Sequence, residues 1–130
     1  MTSLDTLLAE IAFDRDGLVV AIAQQHDTGE VLMVAWMNRD AVSETLRTGQ
    51  VCYWSRSRMK LWRKGETSGQ AQKLVEMRVD CDGDALLLRV DQAGVACHTG
   101  RRDCFFRVVR EGALVIDRPV LVDPAKLYGG

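Results

Sequence analysis

Three short stretches of this sequence carry side chains that could do chemistry together. The first is Asp80-Cys81-Asp82-Gly83-Asp84, with three carboxylates and a thiol within five residues. In extended backbone the two-residue period would set Asp80 and Asp82 on one face and Cys81 on the other. Asp84 joins the acidic face only if Gly83 does not turn the chain away. Carboxylates this close repel one another unless a cation neutralises them, and oxygen donors of this kind suit a hard ion such as Mg²⁺. A solvated hairpin turn uses the same residue types. An EF-hand calcium loop does not fit, because its sixth position would be Ala85 rather than glycine.

The second stretch is Ala96-Cys97-His98-Thr99-Gly100-Arg101-Arg102-Asp103-Cys104, a polar loop bounded by two cysteines. A cysteine on its own is most often a small buried hydrophobe, but the polar setting here would pack such a residue poorly. With Cys81 the loop offers three thiolates, the soft ligands that zinc prefers. Three protein ligands and a water make an open, catalytic zinc site, whereas four make a closed structural one. The fourth cysteine, Cys52, lies in the apolar run Val51–Trp54 and reads as core. His98 has the side chain to move protons near neutral pH, although a hydrogen-bonded structural histidine fits the spacing as well. His26 sits beside a turn and reads as a solvated surface residue.

The third stretch runs from Trp54 to Gly69. Arg56, Arg58, Lys60, Arg63 and Lys64 cluster there, interleaved with Ser55, Ser57, Thr67, Ser68, Glu66 and glycines. Guanidinium forks, hydroxyls and approachable backbone N–H groups together suit phosphate, and Arg101 and Arg102 add charge beside the cysteine loop. The spacing matches no P-loop. A solvated basic face is the plainer reading of the run, and Trp54 and Trp62 are as readily core or rim aromatics as base-stacking platforms.

The elements that must position these groups are mostly strands. Leu4–Phe13 has the apolar spacing of a short helix. Leu18–Ala23 and Val31–Met37 read as strands joined through Asp27-Thr28-Gly29. Asn38 is an N-cap for a helix over Arg39–Thr48, which Gly49 stops. Val51–Ser55 is a further strand, and Arg56–Gln72 is expected to be a long functional loop. Leu74–Asp82 alternates, with Val75, Met77, Val79 and Cys81 on one face, and pairs with Leu86–Val90 through the Gly83 turn. Cys104–Val109 and Ala113–Ile116 complete the set about Gly112. The class is therefore mainly β or α+β.

The 130 residues fit one domain, with 47% hydrophobic and 27% charged residues. A net charge of −1 with a pI near 6.1 argues against a dedicated nucleic-acid binder. The start shows no signal peptide, and the longest apolar run, Val31–Met37, is far too short to cross a membrane. A cytoplasmic protein with reduced thiols is expected, so the cysteines point to metal or catalysis rather than to disulfides.

Taken together, Val31–Asn38 (VLMVAWMN), Tyr53–Arg58 (YWSRSR), Leu61–Gly69 (LWRKGETSG), Asp80–Asp84 (DCDGD) and Ala96–Phe105 (ACHTGRRDCF) resemble the phosphoribosyl-AMP cyclohydrolase family of histidine biosynthesis. The resemblance spans about Leu18 to Arg107. It implies a compact, twisted-sheet, pseudobarrel-like fold in an intertwined homodimer. It further implies zinc on Cys81, Cys97 and Cys104, with the first cysteine facing the later two across the subunit interface, and magnesium on Asp80, Asp82 and Asp84. The implied substrate is 1-(5-phosphoribosyl)-AMP, whose electron-poor ring would be opened at N1–C6 by a zinc-activated water, with His98 moving the proton. Ser55, Arg56, Ser57, Arg58, Trp62, Lys64, Glu66, Thr67, Ser68, Arg101 and Arg102 are the candidates for holding the phosphates and sugar. No fused pyrophosphohydrolase domain is expected. Two rivals fit less well. A zinc nucleobase deaminase needs an H-x-E…P-C-x-x-C signature that is missing, and an RNA-binding zinc module that stacks bases on Trp54 and Trp62 would carry a basic excess.

Overall fold

The computed structural model describes residues 3–127 and shows one curled six-stranded sheet, a separate two-stranded hairpin and three helices. Helix α1 (Ser3–Glu10) leads into β1 (Val19–Gln25), whose alternating burial places Val19, Ala21, Ala23 and Gln25 inward. β1 pairs antiparallel with β2 (Val31–Met37) across the Asp27–Gly29 turn. Helix α2 (Arg39–Thr48) starts where the Asn38 side chain accepts the Ala41 N–H. It ends where the Gly49 N–H meets the Thr45 carbonyl, and it packs on the sheet through Ala41, Val42 and Thr45.

Strand β3 (Cys52–Ser55) follows and pairs with β4 (Lys60–Arg63), so the stretch from Arg56 to Gln72 is not one long loop. Tyr53 lies opposite Trp62 in that register, with ring centroids 5.1 Å apart. Strands β5 (Gln72–Val79) and β6 (Ala85–Gln92) form the next hairpin. A bulge between Leu74 and Glu76 turns Val75 outward, 53% exposed, so Leu74, Met77 and Val79 face the core instead of the run Val75, Met77, Val79 and Cys81. The strand also stops at Val79, before the acidic segment. The sheet order is β4-β3-β2-β1-β6-β5, with β1 parallel to β6 and the other pairs antiparallel. A backbone bridge from Gln50 to Lys73 ties the approach to β3 to the far edge strand and curls the sheet into a half-barrel.

The core fills the inside of that curl with Leu32, Met37, Tyr53, Leu86 and Leu88. Cys52 is fully buried there, as its apolar neighbours suggested, and its backbone N–H and carbonyl both engage the Thr45 hydroxyl. His26, by contrast, is half-buried. β7 (Arg107–Arg110) and β8 (Ala113–Ile116) make the separate hairpin, and the short helix α3 (Pro124–Leu127) ends the described chain with Leu127 buried. Among the described residues, no helix is long and apolar enough to cross a membrane.

Candidate functional site

The cysteine loop leaves β6 and folds back on itself. Ala96 N–H donates to the Arg102 carbonyl at 2.9 Å, Cys97 N–H to that of Arg101 at 3.1 Å, and Gly100 N–H to that of Cys97 at 3.0 Å. This closure brings together the two cysteines that flank a six-residue gap, close enough for Cys97 to push the Cys104 thiol up. Cys104 is anchored to the sheet by its N–H, which donates to the Leu32 carbonyl at 2.8 Å. Cys97 is buried, and its sulfur accepts from the Thr99 hydroxyl at 3.1 Å. Cys104 shows part of its surface to solvent, but crowding around its thiol and the facing Cys97 push it up to about 12. A pair of thiols held this way gives up its protons most readily to a cation, and soft sulfur pairs suit zinc.

Lys64 stands beside these thiols. It is 8% exposed, and its Nζ donates to the Gln70 carbonyl at 3.0 Å. Burial pulls its ammonium below the usual lysine range, against the pull of Cys104 and Cys97. The reading of Lys64 from sequence alone, as a phosphate ligand, did not anticipate its place between the basic loop and the cysteine pair.

A buried polar chain fixes the start of the cysteine loop. Tyr53 donates its hydroxyl to Gln72 Oε1 at 2.7 Å, and Gln72 Nε2 donates to Gln92 Oε1 at 2.8 Å. Gln92 Nε2 reaches the Gln70 and Ala93 carbonyls at 3.0 and 2.9 Å. Val95 N–H donates to Gln70 Oε1 at 2.9 Å. Gln72 is completely buried and Gln92 is 5% exposed. Satisfied polar chains of this sort hold one geometry, because any other leaves a buried donor or acceptor unpaired. Sequence patterning has no signal for them, since three glutamines in polar segments look like surface.

The acidic stretch forms a tight turn at the β5–β6 junction, so the extended arrangement does not occur. Gly83 N–H donates to the Asp80 carbonyl at 3.1 Å, and Asp80 Oδ1 accepts the Asp84 and Ala85 amides at 3.0 and 3.3 Å. Partial desolvation raises the Asp80 carboxyl, but hydrogen bonds from Asp84 and from the turn amides outweigh it and hold the group below the ordinary range. The same hydrogen bond, and the charge of Asp80, hold Asp84 above it. Cys81 is exposed and donates its thiol to Asp82 Oδ1 at 2.9 Å. The turn docks against the end of α1, where Ala12 N–H donates to the Gly83 carbonyl at 2.7 Å. Cys81 is thus not brought to Cys97 and Cys104. Among the described residues, no three His, Cys, Asp or Glu side chains converge as a metal site within the single chain.

The basic loop divides in two. Arg58, Trp62, Arg63, Lys64, Gly65, Glu66, Thr67 and Ser68 line a cavity of about 400 Å³. Ser55, Arg56 and Ser57 lie on the β3–β4 hairpin instead. Ser55 Oγ accepts the Arg58 N–H at 3.2 Å and lies 3.4 Å from Ser57 Oγ, while the Arg56 guanidinium sits 4.8 Å over the Trp36 ring. Arg102 is engaged inside the fold, with Nε on Glu30 at 3.0 Å and Nη1 on the Gln92 and Gly94 carbonyls. Arg101 stacks 4.2 Å over Phe106 and donates to the Arg118 carbonyl. His98 is exposed in the Cys97–Gly100 turn, with its imidazole hydrogen-bonded to no described residue.

Residues 33–106 match the family model described as phosphoribosyl-AMP cyclohydrolase. A phosphoribosyl-AMP cyclohydrolase of Rhodospirillum centenum is 68% identical over 97% of this chain and 95% of its own length. One from Granulibacter bethesdensis is 68% identical over 92% and 94% of the two chains. One from Alcanivorax borkumensis is 64% identical over 98% and 89%.

Proposed function

Because this chain belongs to the phosphoribosyl-AMP cyclohydrolase family, we propose that it hydrolyses the N1–C6 bond of 1-(5-phosphoribosyl)-AMP, the ring-opening step of histidine biosynthesis. The observation that carries this reading is 68% identity along 97% of the chain, a span that includes the acidic turn, the basic loop and the cysteine pair. Water supplies the oxygen that joins C6, and a proton passes to N1 as the bond breaks. C6 keeps its amine and becomes a carboxamide, N1 leaves on a formamidine arm, and no ammonia forms.

The paired, crowded thiols of Cys97 and Cys104 fit zinc, and Cys81 is the third ligand, supplied by a second copy of the chain. Two features support that arrangement. Cys81 sits on a turn of its own, exposed and away from the pair. The β7–β8 hairpin exposes Val109, Leu114 and Ile116, 68%, 62% and 57% accessible, an apolar surface suited to a subunit contact. Bound zinc would lower the pKa of a coordinated water to about 7, which would supply a nucleophile at neutral pH. Mg²⁺ is assigned to the acidic turn of Asp80, Asp82 and Asp84, where Asp80 and Asp84 already share a hydrogen bond and Asp82 lies between them in the chain; water or substrate phosphate would supply the rest of its oxygen ligands.

The chain's own groups bind and orient. The cavity of Arg58, Thr67 and Ser68 offers one guanidinium and two hydroxyls to a phosphate, Glu66 suits ribose hydroxyls, and Trp62 provides an aromatic wall. His98, exposed and with its imidazole free of hydrogen bonds to described residues, is our candidate for carrying the proton between water and N1. Arg102 contributes field rather than a direct contact, since its Nε and Nη1 are engaged within the fold, whereas Arg101 commits only its Nε to described residues and keeps its two Nη groups for a phosphate.

The test is the ultraviolet change when the purified protein meets phosphoribosyl-AMP, with and without a zinc chelator. Chelator-sensitive formation of the ring-opened carboxamide without ammonia is expected. Ammonia release would indicate deamination, and no turnover with both metals supplied would overturn the assignment. Asp82→Asn separates the two metal roles. It should raise the magnesium needed for half-maximal rate by about tenfold, the scale for loss of a supporting ligand contact, while zinc content stays at the parent level. Loss of zinc in that variant would mean that the two sites are one.

A further inference from the structure

The chain beyond the matched residues returns to the cysteine loop. After β8, Arg118 donates its Nε to Asp103 Oδ2 at 3.0 Å, and its backbone carbonyl accepts from Arg101 Nε at 2.9 Å. The amides of Leu121 and Val122 both donate to the Gly100 carbonyl, at 2.8 and 3.1 Å. Asp103 is 2% exposed, and its other oxygen accepts the Phe105 N–H at 2.7 Å, so this one carboxylate joins the tail to the backbone flanking Cys104. The approach at Gly100 leaves no room for a side chain. A Cβ there would fall 1.9 Å from the Val122 carbonyl oxygen, and the backbone is at φ +85°, which favours glycine.

We infer that the segment from Asp117 to Val122 is a clasp that holds the Cys97–Cys104 loop in its two-thiol geometry, with Arg118 as the positioning residue. Three attachments, at Gly100, Arg101 and Asp103, fall on the short stretch between the two cysteines, while the ends of that stretch are set by β6 and by the Leu32 carbonyl. Without the tail, the middle of the loop keeps its own turn hydrogen bonds and the Arg102 contacts to Glu30, Gln92 and Gly94, but Gly100 and Arg101 lose their outside partners and the Asp103 carboxylate stays buried without its cation. A buried carboxylate in that state drives local rearrangement. The loop would then present its thiols at variable separation, and a metal pair would bind more weakly. In this respect Asp103 and Arg118 are outer partners that orient the ligands.

The inference rests on the metal reading above for its functional meaning, but its first test does not need metal. In metal-free protein, modification of Cys97 and Cys104 by a disulfide reagent is followed by peptide mapping for wild type, Arg118→Ala, Arg118→Lys and Gly100→Ala. Zinc affinity is measured on the same proteins by competition with a chromophoric chelator, and circular dichroism reports whether each variant is folded. Arg118→Ala and Gly100→Ala should speed modification of the buried Cys97 above all and weaken zinc by about tenfold to a hundredfold, with Arg118→Lys between them and wild type. Unchanged thiol reactivity and zinc affinity in folded Arg118→Ala and Gly100→Ala would overturn the clasp. If wild type binds no zinc, the metal reading fails, and the thiol reactivities still decide whether the tail holds the loop.

Discussion

Cys97→Ser should lose zinc and catalytic turnover together. The serine hydroxyl keeps the size of the side chain and can still meet Thr99, so the loop closed by the Ala96 and Cys97 amides should persist. What the variant would lose is one of the two soft ligands of the proposed zinc site, and a hydroxyl is a poor replacement at neutral pH. Loss of a ligand outweighs loss of a supporting contact, so activity should drop by more than about a hundredfold. Metal analysis of the purified variant, paired with the ultraviolet assay, checks both. Cys52→Ala is the contrast: that thiol is fully buried in the core, so its loss should lower stability and leave zinc content alone. A zinc-free Cys97→Ser protein with full activity would rule out the metal as the source of the nucleophile.

Mixing two dead variants should restore activity. If each zinc site draws Cys81 from one subunit and Cys97 with Cys104 from the other, Cys81→Ser and Cys97→Ser homodimers each have two broken sites. A heterodimer has one intact site, formed by Cys97 and Cys104 of the first variant and Cys81 of the second. Equal mixing with random exchange makes half the dimers mixed, so about a quarter of wild-type activity should return from near zero, as two-fold symmetry requires. Unfolding and refolding the variants together supplies the exchange. No recovery, with heterodimers demonstrated by a tag pull-down, would place all three cysteines in one subunit. The geometry that motivates this experiment is the separation of Cys81, on the β5–β6 turn, from the cysteine loop.

Much of the scaffold was legible from local signals. Asn38 and Gly49 bracket α2 because their side-chain and backbone chemistry satisfies helix ends wherever they occur. Val31–Met37 and Ala113–Ile116 are strands at the bounds their apolar runs suggested. Strand β4 was missed because only Leu61 and Trp62 are even half-buried in it, while Lys60 and Arg63 face solvent and read as loop. Val75 was assigned to the wrong face because a bulge inserts one residue, which no alternation pattern announces.

The candidate site divides along the same line. The residue types that could bind metal or phosphate stand out as motifs, and the membership of the family follows from them. Their placement does not. That Asp80 caps a turn is a local contact, but which of several acidic residues does so is not written in their spacing. That Lys64 stands beside the cysteine pair and that Arg118 pairs with Asp103 depend on contacts between separate segments of the chain. The Tyr53–Gln72–Gln92 chain is a sharper case, because each member is an ordinary polar residue until its partner is known.

The middle of the sheet has a consequence for how the protein is made. β1 is flanked on one side by β2, its neighbour in sequence, and on the other by β6, where Val20 lies beside Ala85 and Gln25 beside Val90. During synthesis the first hairpin can therefore form early, but one edge of β1, with its apolar run from Val19 to Ala23, stays open until β6 has emerged. Parallel pairing between such distant segments is slow to form and leaves a strand edge available to other chains in the meantime. Folding yield should accordingly fall as chain concentration rises during refolding, and the step that ends the risk is the arrival of β6 beside β1.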